Sequence, residues 1–268
     1  MPVSVTVSDW MDAPVRCDGG EFAIGDVHGY AGHLEALVGA MGEASGGAGT
    51  LTFLGDLVDR GPDSHGALRL AARPAAALGF AAKHLVVGNH EIFVRLALRG
   101  GREFNGALYL WARNGGSAFI AQLGYEGKGD VTPETLAERL GADVTALLGA
   151  AVPAREAGNL LFVHGGVDPR VPLDQWLSAP MDWIEDEDHF AWIRFRFLGW
   201  EGEFEGGRIV VHGHTPEPGV MRWKGLPESA AHRLDGSRLG LDGGSFATGR
   251  VTGAEFRDGA YRVFTAEG

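Results

Sequence analysis

Five short apolar runs in this chain each end in a glycine-bearing turn that carries aspartate, histidine or asparagine, and this arrangement constrains the fold more than any other feature. The runs are Phe22-Ala23-Ile24, Leu51-Thr52-Phe53-Leu54, Leu85-Val86-Val87, Leu160-Leu161-Phe162 and Ile209-Val210-Val211. The turns after them are Gly25-Asp26-Val27-His28-Gly29, Gly55-Asp56-Leu57-Val58-Asp59-Arg60-Gly61, Gly88-Asn89-His90-Glu91, Val163-His164-Gly165-Gly166 and His212-Gly213-His214-Thr215. Runs with no polar face read as strands covered on both sides, as in an α/β protein. Loops that follow such strands converge on one crevice, so their polar side chains are candidates for a shared site.

Helical periodicity fills the gaps between the first strands. Leu34, Leu37, Val38 and Met41 recur at helical spacing before the Ser45-Gly46-Gly47 loop. Pro62 is expected in the first turn of the next helix, with Ala67, Leu68, Leu70 and Ala71 forming its apolar stripe. Strand and helix in alternation imply βαβ units. From about residue 92 to 156 the pattern turns helical: Leu108, Trp111 and Ala112 in one element, Phe119, Ile120 and Leu123 in another, and a third opening at Thr132-Pro133-Glu134 and stopping at Gly141. We read this stretch as a helical insertion over one side of the crevice, within one domain spanning 1–268. Strand character resumes through Leu239-Gly240-Leu241, Val251 to Phe256 and Tyr261 to Phe264, and Asp258-Gly259 suits a two-residue hairpin between the last two.

Charge and cysteine content exclude several functions. The formal net charge is -12, against the basic surface that a nucleic-acid backbone requires, so no nucleic-acid partner is expected. Cys17 is the only cysteine, which rules out an internal disulfide and a thiolate zinc site. The chain contains no run near the ~18–20 apolar residues that cross a bilayer, and residues 1–20 lack the pattern of a secretory signal. A cytoplasmic protein with no membrane partner is the expectation. The abundance of glycine, alanine and arginine points to a GC-rich bacterial genome.

The turn residues offer oxygen and nitrogen donors of intermediate hardness, suited to manganese, iron or zinc. Asp26 and His28 lie two apart past a strand end and can point into one pocket. Asp56 has two carboxylate oxygens with which to bridge two ions, and Asn89, His164 and His214 would complete the second. Two adjacent divalent cations lower the pKa of a shared water and clamp a phosphoryl group for in-line attack. Arg60 and Arg194 are candidates to hold phosphoryl oxygens through paired N–H donors. His90 can protonate a departing alkoxide, with Asp59 orienting the ring and raising its pKa. Each residue alone is more often structural. Their occurrence together, in order, each after an apolar strand, overturns that reading.

The motifs GDVHG, GDLVDRG and GNHE resemble the signature of the phosphoprotein-phosphatase branch of the calcineurin-like metallophosphoesterases. Trp192-Ile193-Arg194-Phe195-Arg196-Phe197-Leu198 is similar to the family's WxRxxFL stretch, and Leu241-Asp242-Gly243-Gly244-Ser245 to its IDTGA turn, with glycine where threonine is usual. The resemblance implies an α/β metallophosphoesterase sandwich, two mixed β-sheets flanked by helices, with two divalent metal ions at the strand ends. It places Asp26 and His28 on one ion, Asp56 between both, and Asn89, His164 and His214 on the other. Arg60 and Arg194 would bind phosphate and His90 would act with Asp59. The family's GHT turn selects His214 as ligand over His212.

The expected reaction is hydrolysis of a phosphomonoester, with phosphoserine and phosphothreonine in a protein as substrate and Mn²⁺ as the ion pair. A small phosphoester is the rival, chiefly a symmetric dinucleoside tetraphosphate. Relatives of that kind carry alanine where this chain has Asp59 and aspartate where it has Glu91, which favours the phosphatase. A scaffold without catalysis would have lost a ligand, an arginine or His90, and none is lost.

Overall fold

The computed structural model describes residues 2–101, 104–126, 130–182, 187–216 and 232–268. Its strands are β1 (Ser4–Val7), β2 (Met11–Asp12), β3 (Glu21–Ile24), β4 (Thr50–Phe53), β5 (Ala82–Leu85), β6 (Ala154–Ala157), β7 (Leu160–Val163), β8 (Ile209–His212), β9 (Arg238–Gly240), β10 (Val251–Arg257) and β11 (Ala260–Glu267). They form two mixed sheets. One runs in the order β1-β11-β10-β3-β4-β5, with β2 also on β11, and the other in the order β6-β7-β8-β9. In the first, β3, β4 and β5 are parallel while β10 lies antiparallel to β3. In the second, β7, β8 and β9 are parallel and β6 is antiparallel to β7.

Side-chain alternation explains why the sheets pack face to face. Ala23 of β3 joins Leu160, Phe162, Ile209, Val211, Ala254 and Phe256 in one buried cluster drawn from both sheets. Its neighbours Phe22 and Ile24 belong instead to a larger cluster with Leu34, Leu37, Val38 and Met41 of helix α1 (Ala31–Ser45). On the other sheet, Leu161, Val163 and Val210 join that helix-side cluster, beside Trp176, Phe190 and Phe197. A strand apolar on both faces is therefore satisfied twice, by a sheet on one side and by helices on the other. That is the two-sheet sandwich flanked by helices that the sequence implies.

Helix ends follow their local chemistry. Gly46 closes α1 at φ 59°, a left-handed turn that glycine adopts without a Cβ penalty. Helix α2 (Ser64–Ala72) starts after Asp63, whose carboxylate accepts the Gly66 N–H at 2.8 Å. Pro62 thus precedes the cap and stands outside the first turn where it was expected. Helix α3 (Asn89–Arg99) begins at the motif asparagine itself, three residues earlier than the helical stretch expected from 92. The strand expected at 85–87 ends at Leu85, and Val86 continues only as a bridge to Val152.

Four further helices follow: α4 (Phe104–Trp111), α5 (Ser117–Gln122), α6 (Pro133–Leu140) and α7 (Ala142–Gly149). Thr132 caps α6 and Gly141 ends it, as read from the sequence. The helices stop at Gly149, and Ala154–Ala157 is strand, so the far boundary read at 156 falls inside β6. The π-helical turn Ala112–Gly116 joins α4 to α5, with Gly115 at φ 106°. The short helices α8 (Leu173–Leu177), α9 (Phe195–Leu198) and α10 (Ser245–Thr248), with 3-10 turns at Ala75–Leu78 and Glu205–Gly207, complete the described elements. The final hairpin turns through Asp258 and Gly259, pairing Arg257 with Ala260. None of the described helices is long and apolar enough to cross a membrane.

Candidate metal centre

Backbone bonds knit the motif loops together before any side chain is considered. The N–H groups of Val27 and His28 both donate to the Asp56 carbonyl, at 3.0 and 2.8 Å, and Gly29 N–H donates to Leu57 O at 2.9 Å. Gly213 N–H donates to the His164 carbonyl at 2.9 Å, joining the two later loops in the same way. Glu91, in the first turn of α3, accepts N–H groups from Asp56 (2.6 Å), Leu57 (2.8 Å) and Gly88 (3.1 Å). Its buried carboxylate is the clasp between the second and third motifs. Sequence reasoning used Glu91 only to separate substrate classes; its place in a helix's first turn was the available signal.

The backbone is also bent into a conformation that side chains disfavour. His28, Asp56, Asp59, Arg60 and His214 have φ of 45°, 52°, 72°, 66° and 66°. Left-handed geometry at a residue bearing Cβ costs roughly 1–2 kcal/mol. Five such residues concentrated in three motif loops mark a place where packing holds the chain against its preference, as functional sites do.

These loops bring the donor atoms together. His28, Asp56 and His90 each offer a ligand atom within 4.8 Å of the others, and so do Asp56, His164 and His214, with Asp56 common to both groups. Asp26 stands beside the first group, its Oδ2 3.9 Å from His28 Nε2, while its carboxylate accepts the His214 N–H at 3.0 Å. Asn89 joins the second, its Oδ1 3.0 Å from His164 Nε2. The six expected ligands are thus gathered in one buried cluster. His212, one turn residue away, is not: it packs edge-on against Phe197 at 4.9 Å, and its Nδ1 is 3.0 Å from the Gly213 carbonyl.

Protonation states fit a cation pair. Burial drives His28 and His214 well below the ordinary imidazole range, leaving the neutral rings that metal ligation needs. Burial opposes ionisation of Asp56, but His164 and His90 outweigh it and hold the carboxylate well below its usual range. His164 is the exception, pushed up to about 9 as the Asp56 charge overcomes burial, so this ring must release a proton when an ion binds it. Burial, then the charge of Asp242, raises Asp26 well above the ordinary carboxylate range. Asp242, in the turn after β9, is itself pushed up to about 6, by burial first and then, among the raising influences, by Asp56. Carboxylates that resist ionisation through burial and, after it, through crowding one another are what a bound divalent cation relieves. By donor chemistry and by charge, these residues fit the ions.

Around this cluster lie the groups expected to handle substrate. Arg60 places NH1 2.7 Å from His28 Nε2 and NH2 2.9 Å from His90 Nε2, with its guanidinium 4.6 Å from the Phe246 ring centre. Arg194, half-buried, has NH2 3.4 Å from both Nδ1 and the carbonyl of His214. The arginines therefore flank the donor cluster from opposite ligand groups. His90 Nδ1 lies 2.6 Å from Asp59 Oδ2, a buried pair as expected. One expectation fails: Asp59 does not raise the His90 pKa, because burial of the ring dominates and pulls it down to about 4. Trp111, at the end of α4, donates its indole N–H to both Asp59 oxygens at 2.9 and 3.0 Å. Its role at the site was not read from the sequence, where it stood only as one residue of an apolar helix face.

The sequence profile described as calcineurin-like phosphoesterase matches residues 22–241. No curated protein gives a significant match. Among solved structures, a candidate diadenosine tetraphosphatase is similar at a TM-score of 0.54 and 23% identity, over 93% of this chain and 94% of that one. The cold-active protein-tyrosine phosphatase of the psychrophile Shewanella sp. matches at 0.54 and 16%, over 91% of this chain and 80% of that one. A protein serine/threonine phosphatase from Saccharomyces cerevisiae matches at 0.51 and 14%, over 94% of this chain and 80% of that one. At these identities the likeness is one of fold.

Proposed function

The chain belongs to the calcineurin-like phosphoesterase family and is a hydrolytic enzyme, and on that premise we propose that it removes phosphate from phosphoserine and phosphothreonine in proteins. The observation that supports this substrate class is the buried Asp59–His90 pair at 2.6 Å. Serine and threonine leave as strongly basic alkoxides and need a proton as the P–O bond breaks. A nucleoside polyphosphate instead releases a weakly basic phosphate anion, which needs no acid. A dedicated histidine held by a carboxylate is therefore of most use to a phosphomonoesterase with an alkoxide leaving group.

Asp26, His28, Asp56, Asn89, His164 and His214 are the residues we assign to hold two divalent cations, with manganese favoured over iron or zinc. Such a pair, when bound, supplies positive charge for the phosphoryl oxygens and lowers the pKa of water. The chain's own part begins with Arg60 and Arg194, whose paired N–H donors clamp the non-bridging oxygens and align phosphorus for in-line displacement. Helix α3 points its N-terminal end at the cluster, with His90 N–H donating to Asp56 Oδ1 at 3.0 Å, which favours anionic charge there. Water forms the new P–O bond and releases a proton; His90, which burial leaves neutral at rest, takes up a proton at Nε2 and passes it to the leaving oxygen as the old P–O bond breaks. Asp59 holds the opposite ring nitrogen and keeps the imidazole aimed at that oxygen.

Turnover of a phosphoserine peptide, a phosphotyrosine peptide and a symmetric dinucleoside tetraphosphate, compared with Mn²⁺ present, tests the assignment. The phosphoserine peptide is expected to give the highest kcat/KM. Preference for the dinucleotide would replace this substrate class with the rival one.

A further inference from the structure

The indole N–H of Trp111 is fully buried and directed at both oxygens of Asp59, the residue that holds His90. A carboxylate behind a general acid must present one oxygen to the imidazole in a fixed plane, because a small rotation about its Cβ–Cγ bond removes the acceptor. The Asp59 backbone N–H is bound separately, by Ser64 Oγ at 2.9 Å, so the main chain is fixed independently of the carboxylate. Among the described residues, the hydrogen bonds to the carboxylate come from His90 and Trp111 alone. Trp111 is in turn held by the π turn that follows it. A Cβ on Gly116 would stand 2.2 Å from Trp111 Cδ1, and the ring meets Phe119 edge-on at 5.8 Å. The same turn reaches Arg60, whose N–H donates to the Gly115 carbonyl at 3.3 Å. A π turn inside a helical segment often sits at a functional site, since it re-aims side chains that regular winding would not.

We propose that Trp111 is a positioning residue for proton delivery: through its indole N–H it fixes the Asp59 carboxylate, which aims His90 at the leaving oxygen. The inference rests on His90 acting as the proton donor, and it extends that reading to a residue of the helical segment between β5 and β6. No new bond is made at Trp111. The proton passes from His90 Nε2 to the departing oxygen as the P–O bond breaks, and the proton lost by the attacking water supplies Nε2, so the ring ends neutral as it began.

Trp111→Phe keeps most of the ring volume and removes the donor. Gly116→Ala is the second variant: the backbone there is right-handed, at φ -66°, so alanine is conformationally acceptable and its methyl displaces the indole. Both are assayed in the Mn²⁺-loaded enzyme on phenyl phosphate, a poor leaving group, and on 2,4-dinitrophenyl phosphate, a good one. The expected result is a fall in kcat of about 10–100-fold on phenyl phosphate, part of what general-acid catalysis supplies, with KM and the activated substrate nearly unchanged. In a His90→Asn background, Trp111→Phe is expected to cause no further loss. The readouts besides turnover are the manganese content, expected to match the wild type, and the His90 Nδ1–H proton resonance of the metal-free protein, expected far downfield in the wild type and lost to exchange in both variants. Equal losses on both substrates, or additive losses with His90→Asn, would overturn the role of Trp111. If His90→Asn itself lost activity equally on both substrates, the acid assignment would fail and the inference with it. The two failures are therefore separable.

Discussion

Gly213→Ala offers a severe test because it changes one methyl group at a position where the structure leaves no room. A Cβ at residue 213 would stand 2.1 Å from Asp26 Oδ1, 3.3 Å from Asp26 Cγ and 3.6 Å from His164 Nδ1. The carboxylate oxygen must retreat by about 1 Å to reach ordinary contact distance. That oxygen accepts the His214 N–H at 3.0 Å, and Oδ2 lies 3.2 Å from the same group, so retreat breaks the hold between Asp26 and the His214 loop. Loss of this hydrogen bond costs about 0.5–1.5 kcal/mol of stability in the metal-free protein, where burial keeps Asp26 from ionising. Displacing the partners that orient metal ligands typically costs 10–100-fold in affinity, and a comparable loss, roughly 10-fold or more, is expected for Mn²⁺ here. Gly213 does not have positive φ, so backbone strain does not confuse the result. Calorimetric titration of chelator-stripped protein with Mn²⁺, beside urea unfolding of the same sample, reads both quantities. A variant that bound two ions with wild-type affinity would refute the argument that this glycine makes room for Asp26.

Further outcomes follow from the same buried charges and contacts. Asp242 has a folded pKa of about 6 against an ordinary 3.8, so the folded metal-free protein binds that proton more tightly than the unfolded chain. Its contribution is fully present below pH 3.8 and is lost as pH rises through about 6; Asp242→Asn should therefore match the wild type near pH 3.5 and exceed it above pH 6, by on the order of 3 kcal/mol at 1.36 kcal/mol per pKa unit. Urea midpoints across that range check it, and a constant difference between the proteins would contradict it. Glu91→Ala leaves the N–H groups of Asp56, Leu57 and Gly88 without their acceptor, and at about 1–3 kcal/mol each a loss of at least ~3 kcal/mol is expected in urea unfolding. A loss under 1 kcal/mol would mean that Glu91 is not the clasp. Asp59→Asn should depress turnover of phenyl phosphate far more than that of 2,4-dinitrophenyl phosphate, and equal losses would count against Asp59 as the partner of His90.

Much of the sandwich was legible because burial on both faces writes continuous apolar runs into β3, β4, β7 and β8. The edge elements were not. Ser4–Val7 and Ala154–Ala157 are exposed or half-buried along their length, so no apolar run announces them, and pairing with a distant strand decides their conformation. Pro62 was misplaced because Asp63, next to it, provides the actual cap. At the site, residue identities and glycine-flanked turns pointed to all six gathered donors. What stayed hidden were long-range partnerships: Trp111 meets Asp59 across 52 positions, and no local pattern reports such a contact. The depressed His90 pKa was hidden for a related reason, since burial is a property of the finished packing and Asp59 alone suggested the opposite sign.

The central claim, that Asp56 stands between two cations, is tested most directly by anomalous diffraction from a crystal of the Mn²⁺-loaded protein. Two manganese peaks are expected, one on either side of the Asp56 carboxylate, the first in reach of Asp26 and His28 and the second in reach of Asn89, His164 and His214. A single peak, or peaks that leave Asp56 without a metal contact, would contradict it.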